Sequence, residues 1–255
     1  MARIEQHIDT WGWPAAAVYG QPGQGGFVLV CEHASSFIPP NADGLGLSAA
    51  AKLSHAAWDI GALDMAKRLS VRLKSPLIAG EISRLVYDCN RPLEAPDCIP
   101  ARSEIYDVPG NKDLSAASRQ SRFDHIHTPF HDTVTRVLDA AVGEVILVTI
   151  HSFTPVYNDL PRVTELGYLS HSDDRLARAC LTQEQERGRM KAALDEPYSA
   201  TDGVTYSLQK HGEARGLLNV MIEVRNDLID TPHKAQAMGD HLAATLIAAQ
   251  KEVTS

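Results

Sequence analysis

The sequence predicts a three-layer αβα domain around a central mixed, largely parallel sheet. Strand-like and helix-like segments alternate along the chain, the pattern that leaves helices on both faces of a sheet. Three short runs, Phe27–Cys31, Val145–Ile150 and Leu217–Val224, are predominantly apolar, as strands buried on both faces are. No repeat, low-complexity tract or linker divides the 255 residues, so a single α/β domain over 1–255 is expected.

Each element has its own justification. Residues 1–26 are rich in Gly, Pro and Ala with little periodicity and read as an irregular lead-in. The stretch GQPGQGG precedes an apolar run, whereas a dinucleotide-binding turn needs its glycines between a strand and a helix, so it reads as a flexible approach to the first strand. Strand 27–31 empties into the polar loop EHASSFIPP. Residues 48–73 read as a helix because Leu53, Ala56, Ala57, Ile60, Leu63, Ala66 and Leu69 recur at three- and four-residue steps. Short strands follow at Pro76–Ala79 and Arg84–Tyr87. Residues 91–112 carry four prolines and read as a long loop, a feature uncommon in compact domains and often functional. Residues 113–142 read as helix with a kink or break at Pro129. A buried strand at 145–150 ends at His151, and another is expected at Glu165–Leu169. The helix Asp173–Met190 has acids in its first turn, favourable to the helix dipole. Residues 205–215 read as a helix closed by Gly216. After strand 217–224, Thr231 caps a helix that starts at Pro232 and runs to Lys251.

Composition narrows the function classes. With 44% hydrophobic and 22% charged residues, the chain can bury a full core, which excludes long disorder and disulfide-scaffold designs. No apolar run approaches the roughly 18 residues of a membrane span, and the start lacks a signal-peptide core, so a cytoplasmic protein with no membrane partner is expected. With 24 basic and 32 acidic residues, the formal charge of −8 argues against nucleic-acid binding. A small anionic substrate would need a local arginine cluster. Cys31, Cys89, Cys98 and Cys180 form no C-x-x-C pair and read as free, buried thiols. No particular oligomeric state follows from the sequence.

Ligands of open α/β sheets bind beyond the carboxyl ends of the strands, and three strand ends here carry suitable groups. His33 and His151 each follow an apolar strand, so two imidazoles can meet in one crevice. Completed by a carboxylate, they match a catalytic zinc site; the alternative is a pair of loop histidines bonded to backbone. Asp59 is the candidate third ligand, one helical turn after His55 and on its face; the alternative is an ordinary carboxylate near a helix start. Glu32 is a poor ligand beside His33, because neighbouring strand residues point to opposite faces. His125, His127 and His131 have ligand-like spacing but no H-E-x-x-H carboxylate, and read as helix-surface or partly buried. The run SRQSRFDH reads as a solvated helix face from which Arg119 or Arg122 can reach a ligand. The segment Ser83–Pro92 is the most specific local feature. Arg84 and Arg91 offer planar forks for a carboxylate, and Asn90 both donor and acceptor, the alternative being a surface ion pair between Arg84 and Asp88. Glu223, at the end of a buried strand, is a candidate general base or, alternatively, a salt-bridge partner of Arg225 on the same strand face.

The segments CEHASSFIPP, HAAWDIGALD, SRLVYDCNRP, IHSFTPV, PYS, QKHGEARG and IEVRNDLI, in that order over about residues 27–230, resemble the N-formylglutamate amidohydrolase family. The similarity is greatest to its branch of predicted N-formylglutamate amidohydrolases. The resemblance implies a zinc-carboxypeptidase-like fold and metal-assisted amide hydrolysis, with Zn2+ the expected metal and another divalent ion the alternative. It implies His33 and His151 as metal ligands, Arg84 as the group that polarises the scissile carbonyl, Asn90 and Arg91 as the grip on a substrate carboxylate, and Glu223 as the catalytic glutamate. Arg215 or Arg225 would meet a second carboxylate. The wider aspartoacylase-like superfamily places a glutamate three residues after the first histidine, where this chain has Ser36. Either Asp59 then replaces it or the metal site is weaker. The implied reaction is hydrolysis of an N-formyl or N-acyl amino acid, N-formyl-L-glutamate first. Alternatives are another acylated amino acid or a peptidoglycan fragment, or a metal-free ligand-binding protein of the same fold.

Overall fold

In the computed structural model of the chain, residues 3–8, 11–21 and 26–254 are described. The main sheet has eight strands: β1 (Arg3–Ile8), β2 (Pro14–Tyr19), β3 (Gly26–Cys31), β4 (Leu77–Gly80), β7 (Val145–Phe153), β10 (Leu166–Leu169), β11 (Ala192–Leu194) and β12 (Leu218–Arg225). Two small hairpins pair β5 (Arg102–Ser103) with β6 (Tyr106–Asp107) and β8 (Val156–Tyr157) with β9 (Leu160–Pro161). The helices are α1 (Ala49–Leu53), α2 (Ala62–Leu73), α3 (Ala116–Arg122), α4 (Thr128–Asp139), α5 (Arg175–Arg187) and α6 (Pro232–Thr254).

The sheet order is β1-β2-β4-β3-β7-β12-β10-β11. Its centre, β4-β3-β7-β12, is parallel, while β2 and β10 join it antiparallel on either side. The continuous apolar runs follow from burial on both faces. In β3, Phe27, Leu29 and Cys31 enter the core under α2, α5 and α6. Val28 and Val30 enter the opposite core, under α4 and residues 82–108. Two helical layers thus enclose one sheet, as expected, and no helix among the described residues is long and apolar enough to cross a membrane.

Several local expectations are corrected. The lead-in contains strands β1 and β2, which extend the sheet beyond β4. The GQPGQGG reading falls partly on residues 22–25, outside the described residues. Residues 48–73 do not form one helix. The Ser54 hydroxyl donates to Ala51 O at the end of α1, and Gly61 adopts φ 81 before α2. A Cβ on Gly61 would run into the Ile229 carbonyl oxygen, so glycine is required both for its dihedral and for this close approach. Residues 84–87 form a turn rather than a strand, closed by Val86 N donating to Ser83 O at 2.9 Å. Between α3 and α4 the chain stays helical through a π turn, Phe123–His127, just ahead of Pro129. Residues 208–215 are π and 3-10 turns ended by Gly216 at φ 66. Strand β7 continues past Ile150 through His151 to Phe153.

Candidate active site

Because β3, β7 and β12 are parallel neighbours, their carboxyl ends share one sheet edge. His33 lies just past β3, His151 near the end of β7, and Glu223 in β12 is the register partner of His151. The turn between α1 and α2 brings in Asp59, whose backbone N–H donates to His33 O at 2.9 Å. The turn after β4 brings in Arg84 and Asp88. Together they line a cavity of about 300 Å³ that also includes His55, Asn90, Arg91, Glu104, Tyr157 and Tyr198.

His33, Asp59 and His151 are buried with one donor atom each inside a sphere of 4.8 Å separation. Asp59 Oδ2 lies 3.4 Å from His33 Nδ1 and 3.0 Å from His151 Nδ1. Donors around a tetrahedral zinc with bonds of ~2.0 Å lie ~3.3 Å apart, so both of these oxygen–nitrogen separations suit such an ion. The remaining imidazole nitrogens face carboxylates: His33 Nε2 is 2.7 Å from Asp88 Oδ1, and His151 Nε2 is 3.1 Å from Glu32 Oε2. Metal-bound histidines are characteristically oriented by such an outer carboxylate. Ser36 takes no part in the cavity wall, and the carboxylate comes from Asp59.

The electrostatics follow from this packing. Burial alone would lower His33, yet the Asp88 and Asp59 carboxylates outweigh it and raise its pKa. His151 is likewise raised, burial being overcome by Glu32 and Asp59. Burial would raise Asp59, but the Arg84 guanidinium, 3.1 Å from Oδ1, and then His33 hold it well below the usual carboxylate range. His55 is pushed down to about 3 by burial and by Arg84. Glu223 goes the other way: it is 3% exposed, and burial lifts it to about 7 against the opposing pull of His151. Its Oε2 is buried without a hydrogen-bond partner among the described residues. A carboxyl poised near neutrality beside a potential metal site has the properties of a general base.

The predicted residues do not all meet here. His33, Asp59, Arg84, Asn90, Arg91, His151 and Glu223 do. The expected alternatives at two of them are absent: Arg84 pairs with Asp59 rather than Asp88, and Glu223 has no pair with Arg225. Arg84 is held by the carbonyls of Ala56 (3.1 Å) and His55. Asn90 lines the cavity and braces its wall through the 204–207 segment, donating to Val204 O and accepting from Ser207 N at 3.0 Å. Arg91 lines the cavity, and its Nε and Nη1 donate to Asp97 (2.8 Å) and Asn90 O (2.9 Å), which leaves Nη2 without a protein partner among the described residues. Arg215 lies outside the cavity, 3.4 Å from Asp139, and Arg225 pairs with Asp227 and Glu165. His127 and His131 are buried with their rings tilted against each other, His131 stacks on His211 and contacts Cys89 O, and the three form no metal group. Arg122 is also buried, donating to Val86 O at 3.0 Å and to Asn111 Oδ1 at 2.6 Å, and so fixes the turn that carries Arg84. All four cysteines are free and buried.

Glu32 and Asp88 were missed as site residues. Alternation along β3 argued against Glu32, but β3 ends at Cys31, and the turn that follows lets Glu32 and His33 reach two histidine-facing positions at once. Asp88 stood in the conspicuous Ser83–Pro92 segment and carried its own signal, a carboxylate four residues after an arginine that faces inward.

A model of the N-formylglutamate amidohydrolase family matches residues 25–230. The crystal structure of gene product Atu2144 from Agrobacterium tumefaciens is 44% identical, covering 94% of this chain and 96% of that one with a TM-score of 0.90. N-formylglutamate amidohydrolase from Ralstonia eutropha JMP134 shares the fold at 17% identity and TM-score 0.68, over 93% of this chain and 97% of that one. A comparison with curated proteins gives no match. A family match that runs unbroken from the first core strand to just short of α6, and so spans every residue of the cavity, shows that this chain belongs to the N-formylglutamate amidohydrolase family.

Proposed function

We propose that the protein hydrolyses the amide bond of an N-formyl or N-acyl amino acid, with N-formyl-L-glutamate the first candidate. The observation that carries this reading is the placement of Glu223, buried and near-neutral in pKa, as register partner of His151 in the same cavity as the His33–Asp59–His151 group. Those three residues would hold a divalent ion, zinc first. When bound, such an ion supplies Lewis acidity that acidifies water and polarises a carbonyl. Glu223 Oε2 accepts the proton of the attacking water and returns it to the departing amine. The Arg84 guanidinium, fixed by two backbone carbonyls, offers positive charge to the oxyanion as it develops, where a preorganised donor contributes most. Arg91 holds the α-carboxylate and orients the substrate. Asn90, through Val204 and Ser207, keeps that wall in place.

The test is formate release from N-formyl-L-glutamate by protein stripped with chelator and then resupplied with zinc. Release that returns only with the metal supports the reading. Zinc binding without release points to a different acyl substrate, and absence of both removes His33 and His151 as ligands.

A further inference from the structure

A second chamber of about 790 Å³ adjoins the catalytic cavity, and the two share Arg91, Tyr157, Tyr198 and Val204 in their walls. On the far side of the shared tyrosines stands Arg162. Its guanidinium carbon lies 4.7 Å from the Tyr157 ring centre, 5.0 Å from Tyr198 and 5.4 Å from Phe153. Its hydrogen bonds go to Thr154 O and Oγ1, at 3.3 and 3.4 Å, and to the Tyr198 hydroxyl at 3.2 Å. No carboxylate pairs with it among the described residues. The backbone is pinned as well: Arg162 N donates to Pro155 O at 2.8 Å, and Arg225 Nη1 donates to Arg162 O at 3.1 Å. The acids on the same wall are already held, Glu196 by the Thr164 hydroxyl and Asp202 by the Ser199 backbone N–H at 2.8 Å.

Glu104 of the catalytic cavity acts on Arg162 only through space, and a cation clamped between aromatic rings, fixed at both backbone groups and in no salt bridge among the described residues is preorganised for an anionic ligand. Arg84 is engaged with Asp59, and Arg215 and Arg225 lie outside the cavity with acids of their own. We propose that Arg162 is the specificity-determining residue of the site, receiving the side-chain carboxylate of a dicarboxylic substrate in the outer chamber while Arg91 holds the α-carboxylate. Arg225, which earlier was a candidate for that contact, acts instead as a positioning residue for Arg162. This inference rests on the amidohydrolase reading for its orientation of substrate, but not for its test.

The test is calorimetric binding of L-glutamate and L-glutamine, which differ only in the distal carboxylate, to the full chain and to Arg162→Met and Arg162→Lys. Methionine keeps an unbranched stem against the rings and removes the fork. The wild type is expected to prefer glutamate by about 10–100-fold, the range of a charge-assisted bidentate contact. Arg162→Met should bring the two ligands within about threefold with glutamine affinity unchanged, and Arg162→Lys should restore part of the preference. A purely structural role would weaken both ligands alike. A wild type without preference, or an Arg162→Met protein that keeps it, overturns the inference. Turnover of N-formyl-L-glutamate in the same preparations judges the proposed function separately. An Arg162-dependent preference without turnover leaves the inference standing and overturns only the choice of substrate.

Discussion

Replacing Glu223 with glutamine should abolish turnover and yet stabilise the metal-free protein at alkaline pH. Burial raises this carboxyl from the ordinary glutamate value of 4.5 to about 7, against the pull of His151 and with the help of Asp59. The folded chain therefore binds the proton more tightly than the unfolded chain. Stability is greatest below about pH 4.5, falls as pH rises toward 7, and carries the full penalty above it. A gap of about 2.5 pH units at ~1.4 kcal/mol each gives a penalty on the order of 3 kcal/mol at pH 8.5, and below about 1 kcal/mol at pH 5. Glutamine has the same shape and no charge to bury, so it removes the penalty. Urea unfolding of chelator-treated wild type and Glu223→Gln, followed by circular dichroism at both pH values, measures the difference. A variant that is folded but no more stable than wild type at pH 8.5 would refute the reasoning, as would a difference that does not change with pH.

Glu32→Gln and Asp88→Asn should each weaken zinc affinity about 10–100-fold, read by competition with a chromophoric chelator, because each carboxylate faces the outer nitrogen of a ligand histidine. Gly61→Ala should lower stability by more than about 2 kcal/mol, seen as a fall in Tm, since φ 81 and the Ile229 carbonyl both reject a Cβ. The acid limb of kcat/KM should report Glu223, with activity lost as pH falls through its pKa. That pKa is about 7 without a cation, and a metal held by the neighbouring triad would draw it lower, so the limb of the zinc-loaded enzyme should lie below pH 7.

The central sheet was legible because its strands are predominantly apolar, without polar alternation, a signal that comes directly from burial on two faces. Val28 and Val30 serve one core and Leu29 and Cys31 the other, and neither set leaves room for polar alternation. Strands β1 and β2 gave no such signal. The run PAAAVY is short and alanine-rich, and it lies toward the sheet edge. The Arg84–Tyr87 error has the opposite cause. Leu85, Val86 and Tyr87 are strand-like residues, and all are buried, but in a turn that packs under Arg122 and Asn111. The meeting of His33 and His151 was legible because parallel topology delivers successive strand ends to one edge. Its supporting carboxylates were not, because Glu32 depends on where β3 stops, and strand ends are set by tertiary contacts rather than by local pattern. Arg162 was invisible for a similar reason: its significance lies in the lack of an acidic partner, which only the folded chain displays.

The cavity draws its key side chains from positions 33, 59, 84, 151 and 223, so no short fragment of the polypeptide contains it. During synthesis the ligand set cannot close until β7 has emerged, and the base arrives only with β12. On the proposed function, a metal ion could not template early folding in the way it does in a zinc finger; it could only bind chains in which the ends of β3 and β7 have already met. Its binding free energy then adds to the stability of the whole molecule, by ~2.7 kcal/mol when free ion stands at a hundred times Kd. Scarcity of the ion would then shorten the lifetime of the protein in the cell as well as silence it, joining metal supply to abundance through a single set of side chains.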